Sequence, residues 1–314
     1  MKLQIIIFTL FISSITCFAQ TDTSIVPFVS YWSIGDSYDF KVTKIKRQRT
    51  GGELTKDDSS SYIVNFQVID STASSYKIKW SYKTNFSMFK IPSDVTDRFS
   101  KYETTEVIYT TSEVGDFIAI ENWEEISEMM TGVFSESIEY MSENGDLDEK
   151  EFTKIMQPIF DIYKSKEGIE QIALKEIQYF HFPMGLEYST AEPVIYEDKL
   201  PNMFGGKYIR ADAKIYFNYI DFDANYCVLI QEMKLNEKDT KRVLESLFQK
   251  MGLDNKATKA AMKDAKFNIT DYNRYAYFYY PCIPYEIETS RITTVDVAGK
   301  VIEGIDINRI ELLD

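Results

Sequence analysis

Oxygen-bearing side chains at alternating positions are the first pattern in this chain that could do chemistry. Asn144, Asp146, Asp148 and Glu151 fall around Gly145 in the run from Tyr140 to Phe152. Calcium takes six or more oxygens, and a glycine lets the backbone turn sharply among them. Cation binding, with calcium as the natural ion, is therefore one reading of these residues. The other needs no metal: Gly145 ends one helix, and Asp148 caps the next with Glu151 three residues on. Nucleophilic chemistry has fewer parts available. A serine nucleophile needs a base, usually a histidine held by a carboxylate, and His181 is the single histidine. One histidine with at most two free cysteines also lacks the usual zinc ligand sets. Carboxylate-based hydrolysis remains an alternative, because its paired acids need not be close in sequence. With 49 acidic residues, composition singles out no pair.

The acidic residues are gathered rather than spread. From Tyr102 to Glu149, 48 residues carry 14 carboxylates and no Lys or Arg, in a chain of formal charge −14. Such a field repels nucleic acid and attracts cations or a basic protein partner. No glycine-rich phosphate loop or dinucleotide fingerprint appears.

Three short stretches resemble known motifs. Residues 140 to 152 resemble the back half of an EF-hand, with Gly145 sixth, Leu147 at the apolar eighth place and Glu151 at the bidentate twelfth. Tyr140 stands where the first carboxylate belongs and Ser142 is a weak third ligand, which favours the capping reading. Asp221, Asp223, Asn225 and Glu232 imitate the same spacing, but Tyr226 replaces the glycine and a polar hairpin turn explains them better. Gly35-Asp36-Ser37-Tyr38 is similar to the nucleophile block of Gly-Asp-Ser esterases. Gln178 precedes His181 where that family has Asp, so a turn at a strand start is preferred.

Residues 1–19 read as a signal peptide. Lys2 opens it, Leu3 to Ile12 is apolar apart from Gln4 and Thr9, and Cys17-Phe18-Ala19 offers a cleavage site before Gln20. The apolar run is too short for a transmembrane anchor, and Thr16 after Ile15 fits poorly with lipidation at Cys17. An exported chain, periplasmic or secreted, with no transmembrane segment after cleavage is the expectation. Cys227 and Cys282 then share a compartment that permits disulfides. Pairing would close a loop of 56 residues, and two buried thiols are the equal alternative.

Alternating side chains dominate the rest. Tyr38, Phe40 and Val42 predict a strand, and residues 49–59 with Gly51-Gly52 a polar loop. Tyr62, Val64, Phe66 and Val68 predict a hairpin with Tyr76, Ile78, Trp80 and Tyr82. Short strands follow at 105–110 and 117–120. Helical spacing takes over from Ile126 to Ile138 and again from Glu149 to about Tyr163, where Pro158 should kink or end the helix. A third helical stretch is placed at 167–176, and strand character returns in 178–188, 193–196, 209–219 and 226–235. Two short helices, 243–251 and 257–265, precede three last strands at 267–280, 285–295 and 300–313. Tyr275 to Tyr280 puts aromatics on both faces of one strand, which reads as a strand buried on both sides.

The fold class expected is α+β and β-rich: one curved antiparallel sheet, half-barrel-like, with a helical insertion and short helices over its concave face. Residues 20–314 would form a single domain with the acidic insertion at about 122–176. With Gly35-Asp36-Ser37-Tyr38 and Gly115-Asp116-Phe117 as strand-entry turns, the pattern resembles uncharacterised secreted bacterial β-rich proteins, and at fold level the half-barrels of periplasmic lipoprotein carriers. The Met- and Phe-rich apolar stripe of residues 126 to 160, facing an aromatic-rich sheet, leads to the expectation of an exported, non-enzymatic binding protein. The residues expected to hold a lipid or other apolar ligand are Met129, Met130, Phe134, Phe152, Met156 and Phe160. Docking of a basic partner at the cell envelope through the acidic face is the alternative, and no cofactor beyond a cation is expected.

Overall fold

The structure, a computed structural model, describes residues 25–83, 96–102, 104–143, 149–172, 175–202, 204 and 206–313. Its strands are β1 Ile25–Pro27, β2 Ser37–Thr50, β3 Glu53–Ser71, β4 Ser75–Lys83, β5 Thr104–Ser112, β6 Phe117–Ile120, β7 Glu187–Ser189, β8 Val194–Leu200, β9 Ile209–Asp221, β10 Tyr226–Leu235, β11 Lys266–Phe278, β12 Ile283–Val297 and β13 Lys300–Leu312. The helices are α1 Thr96–Phe99, α2 Trp123–Glu143, α3 Glu149–Phe160, α4 Lys166–Ile172, α5 Lys175–His181, α6 Glu237–Lys250 and α7 Lys256–Asp264. Eleven strands form one antiparallel sheet in the order β6-β5-β4-β3-β2-β13-β12-β11-β10-β9-β8, which does not close into a barrel, and β1 pairs with β7 beside it.

Register puts the apolar residues of neighbouring strands on one face. Phe40 pairs with Val64, Phe66 with Trp80, Val68 with Ile78, and Ile287 with both Tyr275 and Ile310. All of these are at least nine-tenths buried. A one-residue slip would turn the whole set outward, so burial fixes the pairing. The expected β3–β4 hairpin is present with that register. The polar loop expected at 49–59 is not: β2 runs to Thr50, turns through Gly51 and Gly52 at φ 61° and 90°, and β3 starts at Glu53. This arm pairs by backbone ladder and by ion pairs such as Arg47–Asp57 at 3.0 Å, with no apolar face to announce it.

The second departure is at residues 178–188, read as a strand. The chain forms α5 there, and Ile177, Phe180, His181 and Met184 are buried against the sheet. The helical run thus extends past 176 to His181. The Phe180 ring centre lies 5.4 Å from that of Phe40, 5.0 Å from Phe66 and 5.5 Å from Trp80, three strands of one face. Tyr277 donates its hydroxyl to the Phe180 carbonyl at 2.5 Å. With Phe28, Trp32 and Tyr188 from the flanking segments, α5 fills the hollow of the sheet.

A polar layer separates that core from a smaller one under α6 and α7, built from Met262, Ala265, Phe267 and partly buried Leu244 and Phe248. Asn236 caps α6 by accepting from the Asp239 N–H at 3.1 Å. Asp239 in turn accepts from Arg210 Nε at 2.7 Å and Arg242 Nη1 at 2.6 Å, tying α6 to β9. The Arg210 guanidinium holds the Asp239 carboxyl down to a pKa of about 2. The carboxylate is buried whereas both arginines are half-exposed, so deleting it loses charge-assisted hydrogen bonds without stranding a buried charge. Asp239→Ala is therefore expected to lower stability by about 2 kcal/mol, discounted because both arginines reach solvent, which urea denaturation would read directly.

Candidate functional site

Two pieces of chemistry suggested by the sequence are used structurally. His181 is buried, and its Nδ1–H donates to the Gly115 carbonyl at 2.7 Å, so its Nε2 accepts the Tyr109 hydroxyl at 2.8 Å. Burial lowers its pKa to about 4, against the smaller opposing effect of the Gly115 carbonyl. With both nitrogens engaged it is no base for Ser37, which opens β2 and accepts from Asn65 at 2.9 Å. Gly115 has no substitute here. Its φ is +90°, and an added Cβ would lie 3.0 Å from both the Met184 sulfur and the Ser30 side chain. The second oxygen cluster is a hairpin turn, in which Asp221 accepts from the Asp223 and Ala224 amides at 3.0 Å each.

Of the cation-loop residues, Asn144, Asp146 and Asp148 lie outside the described residues, as does the side chain of Glu151. The flanking helices are those the sequence required, α2 ending at Glu143 and α3 starting at Glu149. Residues 1–24, with the signal segment and Cys17, also lie outside the description. Cys227 and Cys282 are separate thiols buried in the main core. Burial pushes the Cys227 thiol up to about 12 and raises Cys282 further. Among the described helices none is long and apolar enough to cross a membrane.

The apolar residues of the acidic insertion divide into two groups. Met129 and Met130 pack on the main core, where α2 lies over β5. Farther along α2, Phe134 leaves the sheet and meets Phe160 of α3 at 4.9 Å and Tyr163 at 5.1 Å. Phe134, Ile138 and Phe160 stay partly exposed and floor a cleft of about 680 Å³ between the two helices. Phe152 and Met156 are half-buried on α3 and do not line it. Pro158 lets α3 run only two residues farther, to Phe160.

Acidic groups stand at one end of this cleft. Glu139 and Glu143 line it and are exposed. Part of the acidic block is neutralised by neighbours the sequence does not place beside it. Arg98 pairs with Glu143 at 3.1 Å, Lys101 with Glu136 at 2.7 Å and Lys77 with Glu121 at 2.8 Å. Glu139 makes no ion pair among the described residues. At the other end Lys164 is paired with Asp161 at 3.6 Å. The arrangement has an aromatic floor for an apolar group and a negative rim for a cation.

No protein-family model matches the chain, and no curated protein matches it. Among solved structures, a lipovitellin chain studied for its lipid–protein interactions is similar at a TM-score of 0.45 and 11% identity, over 90% of this chain and 25% of that one. Ail, the attachment invasion locus protein of Yersinia pestis, matches at a TM-score of 0.15 and 4% identity over 90% of this chain and 100% of its own. The chain thus spans a quarter of the lipovitellin chain it matches.

Proposed function

We propose that this chain is an exported, non-enzymatic binding protein whose site is the cleft between α2 and α3. The ligand it suits is amphipathic: an apolar group against Phe134, Ile138 and Phe160, and a cationic group at Glu139. The observation that carries the reading is the contrast between two hydrophobic regions. The hollow of the sheet is filled by α5, whereas the aromatic floor of the α2–α3 cleft stays half-open beneath an acidic rim. This joins the apolar-ligand and basic-partner readings in one place. A carboxylate hydrolase is less well supported, because among the described residues the buried acids Asp239, Asp271 and Glu176 are each held by a basic partner, Arg210 at 2.7 Å, Arg291 at 2.6 Å and Lys44 at 2.7 Å.

Displacement of bound N-phenylnaphthylamine by dodecyltrimethylammonium and by dodecanoate, both below their micelle thresholds, tests the proposal. Saturable dye binding is expected, with the ammonium compound the stronger competitor and its advantage fading in salt. Phe134→Ala should weaken dye binding about tenfold, the loss expected when a phenyl contact is removed. Dye binding that is non-saturable, or indifferent to Phe134→Ala, would remove the site.

A further inference from the structure

We infer that a second copy of this chain docks on the outer face of the sheet, over an apolar stripe that no described element covers. The stripe comprises Ile45 of β2, Ile305 and Ile307 of β13, Ile292 of β12, Tyr272 of β11 and Ile195 of β8. It shares no residue with the lining of the α2–α3 cleft.

Alternation fixes which way these side chains point. Val42, Ile310, Ile287 and Tyr275 face the core, and each stripe residue on the same strands lies an odd number of positions away. Such positions project from the opposite face. Ile195 likewise adjoins Tyr196, which packs on the core. Register then sets the stripe side by side: Ile45 opposite Ile307, Ile305 opposite Ile292, and Ser290 between Ile307 and Tyr272. Over the same stretches the hollow side carries Lys44, Lys46, Arg291, Asp306 and Asn308. An antiparallel sheet with one wet face normally turns its apolar groups in and its polar groups out. Here that order is inverted. Ile195 is 77% exposed, Tyr272 49% and Ile292 37%, and the other three isoleucines are half-buried. Ile195, Tyr272 and Ile292 also line a shallow groove of about 460 Å³, which can take side chains from an opposing surface.

Charge selects the occupant. Around the stripe Arg47 pairs with Asp57 at 3.0 Å, Arg49 with Glu303 at 3.4 Å, Arg274 with Glu286 at 3.0 Å, and Arg309 with Glu288. Lys214 stands opposite Glu232, and Lys234 opposite Asp212. The face is thus balanced in a chain of net charge −14. The acidic run from 102 to 149 sits with β5 and α2, on the far side of β2, β3 and β4. A charged partner finds these ions already matched, whereas a second copy brings the same balanced surface and meets the least repulsion here. Size agrees. The seven strands from β8 to β2 make the face about 30 Å wide, and the stretch from Glu303 to Arg309 runs about 20 Å along it. That footprint suits the ~800 Å² per partner of a standard stable interface. A two-fold axis through the stripe brings the same residues together from both copies and closes the pair without propagating a filament.

Sedimentation velocity of the full chain over about 1 to 100 μM tests this. A concentration-dependent dimer is expected that persists in high salt, because its contact is apolar and its ions are already paired. Ile195→Glu and Ile292→Glu, both at exposed positions, should each raise the dimer dissociation constant about thirtyfold with an unchanged circular dichroism spectrum. Ile118→Glu, the same change at an exposed isoleucine of β6, should leave the dimer intact. Glu139→Gln should leave it intact too, which separates this surface from the α2–α3 cleft. A monomer at every concentration overturns the proposal. So does a dimer that survives both stripe variants, that salt dissolves, or that is lost in Ile118→Glu or Glu139→Gln.

Discussion

Phe180→Ala should lower the free energy of unfolding by about 4 kcal/mol, in the range for truncating a fully buried aromatic residue. The residue is 0% exposed, and its ring meets Phe40, Phe66, Trp80 and His181 within 5.5 Å. Those partners come from β2, β3, β4 and α5 itself, so the void cannot close by moving one neighbour. Marginal stability of about 5 to 15 kcal/mol makes such a loss a large fraction of the total. Guanidinium denaturation measures it, and a loss under about 1 kcal/mol would mean that α5 does not plug the sheet. The same variant should gain hydrophobic-dye binding that Phe134→Ala does not remove, because a void lined by apolar groups has been opened.

Acidification should destabilise the chain well before the carboxylates titrate. Folded His181 has its pKa lowered to about 4, whereas unfolded it returns to the ordinary value of 6.5. Below pH 6.5 the unfolded chain takes up a proton that the folded chain refuses until about pH 4, so stability falls as pH falls through that window. The full effect is about 3 kcal/mol, of which about 2 kcal/mol arrives between pH 7 and pH 5. The chain has one histidine, and the ordinary carboxylate range lies lower, which leaves that interval to His181. Asp239, held at about 2 by Arg210, acts below it. Urea melts across pH 7 to 5 should show the decline, and His181→Gln should flatten it whatever its own stability. A flat profile in the parent, or an unchanged slope in the variant, would contradict the buried neutral imidazole.

The strands were legible where one face is apolar and the other wet. Val64, Phe66 and Val68 against Trp80 and Ile78 show the alternation plainly. The arm at 43–61 was not legible, since its pairing rests on backbone ladders and surface ion pairs that leave no period in hydropathy. At 178–188, where strand character is expected, a helical signal is also present. Ile177, Phe180, His181 and Met184 recur at helical spacing, and burial of that face against the sheet decides for the helix. Phe134 and Phe160 were legible as members of one apolar stripe, though nothing in sequence separated them from Met129 and Met130, which the sheet covers.

On the proposed reading the acidic insertion has two parts, an anchor and a site. The first turns of α2 fasten it to β5, and the far end with α3 carries the cleft and Glu139, which makes no ion pair among the described residues. Salt should loosen a cationic ligand there but leave the anchor intact, because the anchor is apolar.

Photolabelling with a long-chain alkylammonium carrying a diazirine at the end of its chain, followed by peptide mapping, tests the location most directly. Labels confined to peptides of α2 and α3, and competed by unlabelled dodecyltrimethylammonium, are expected. Labels on β2, β3 or β12 at Phe40, Phe66 or Ile287, beneath α5, would show that the hollow of the sheet opens to ligand and would contradict the site assigned here.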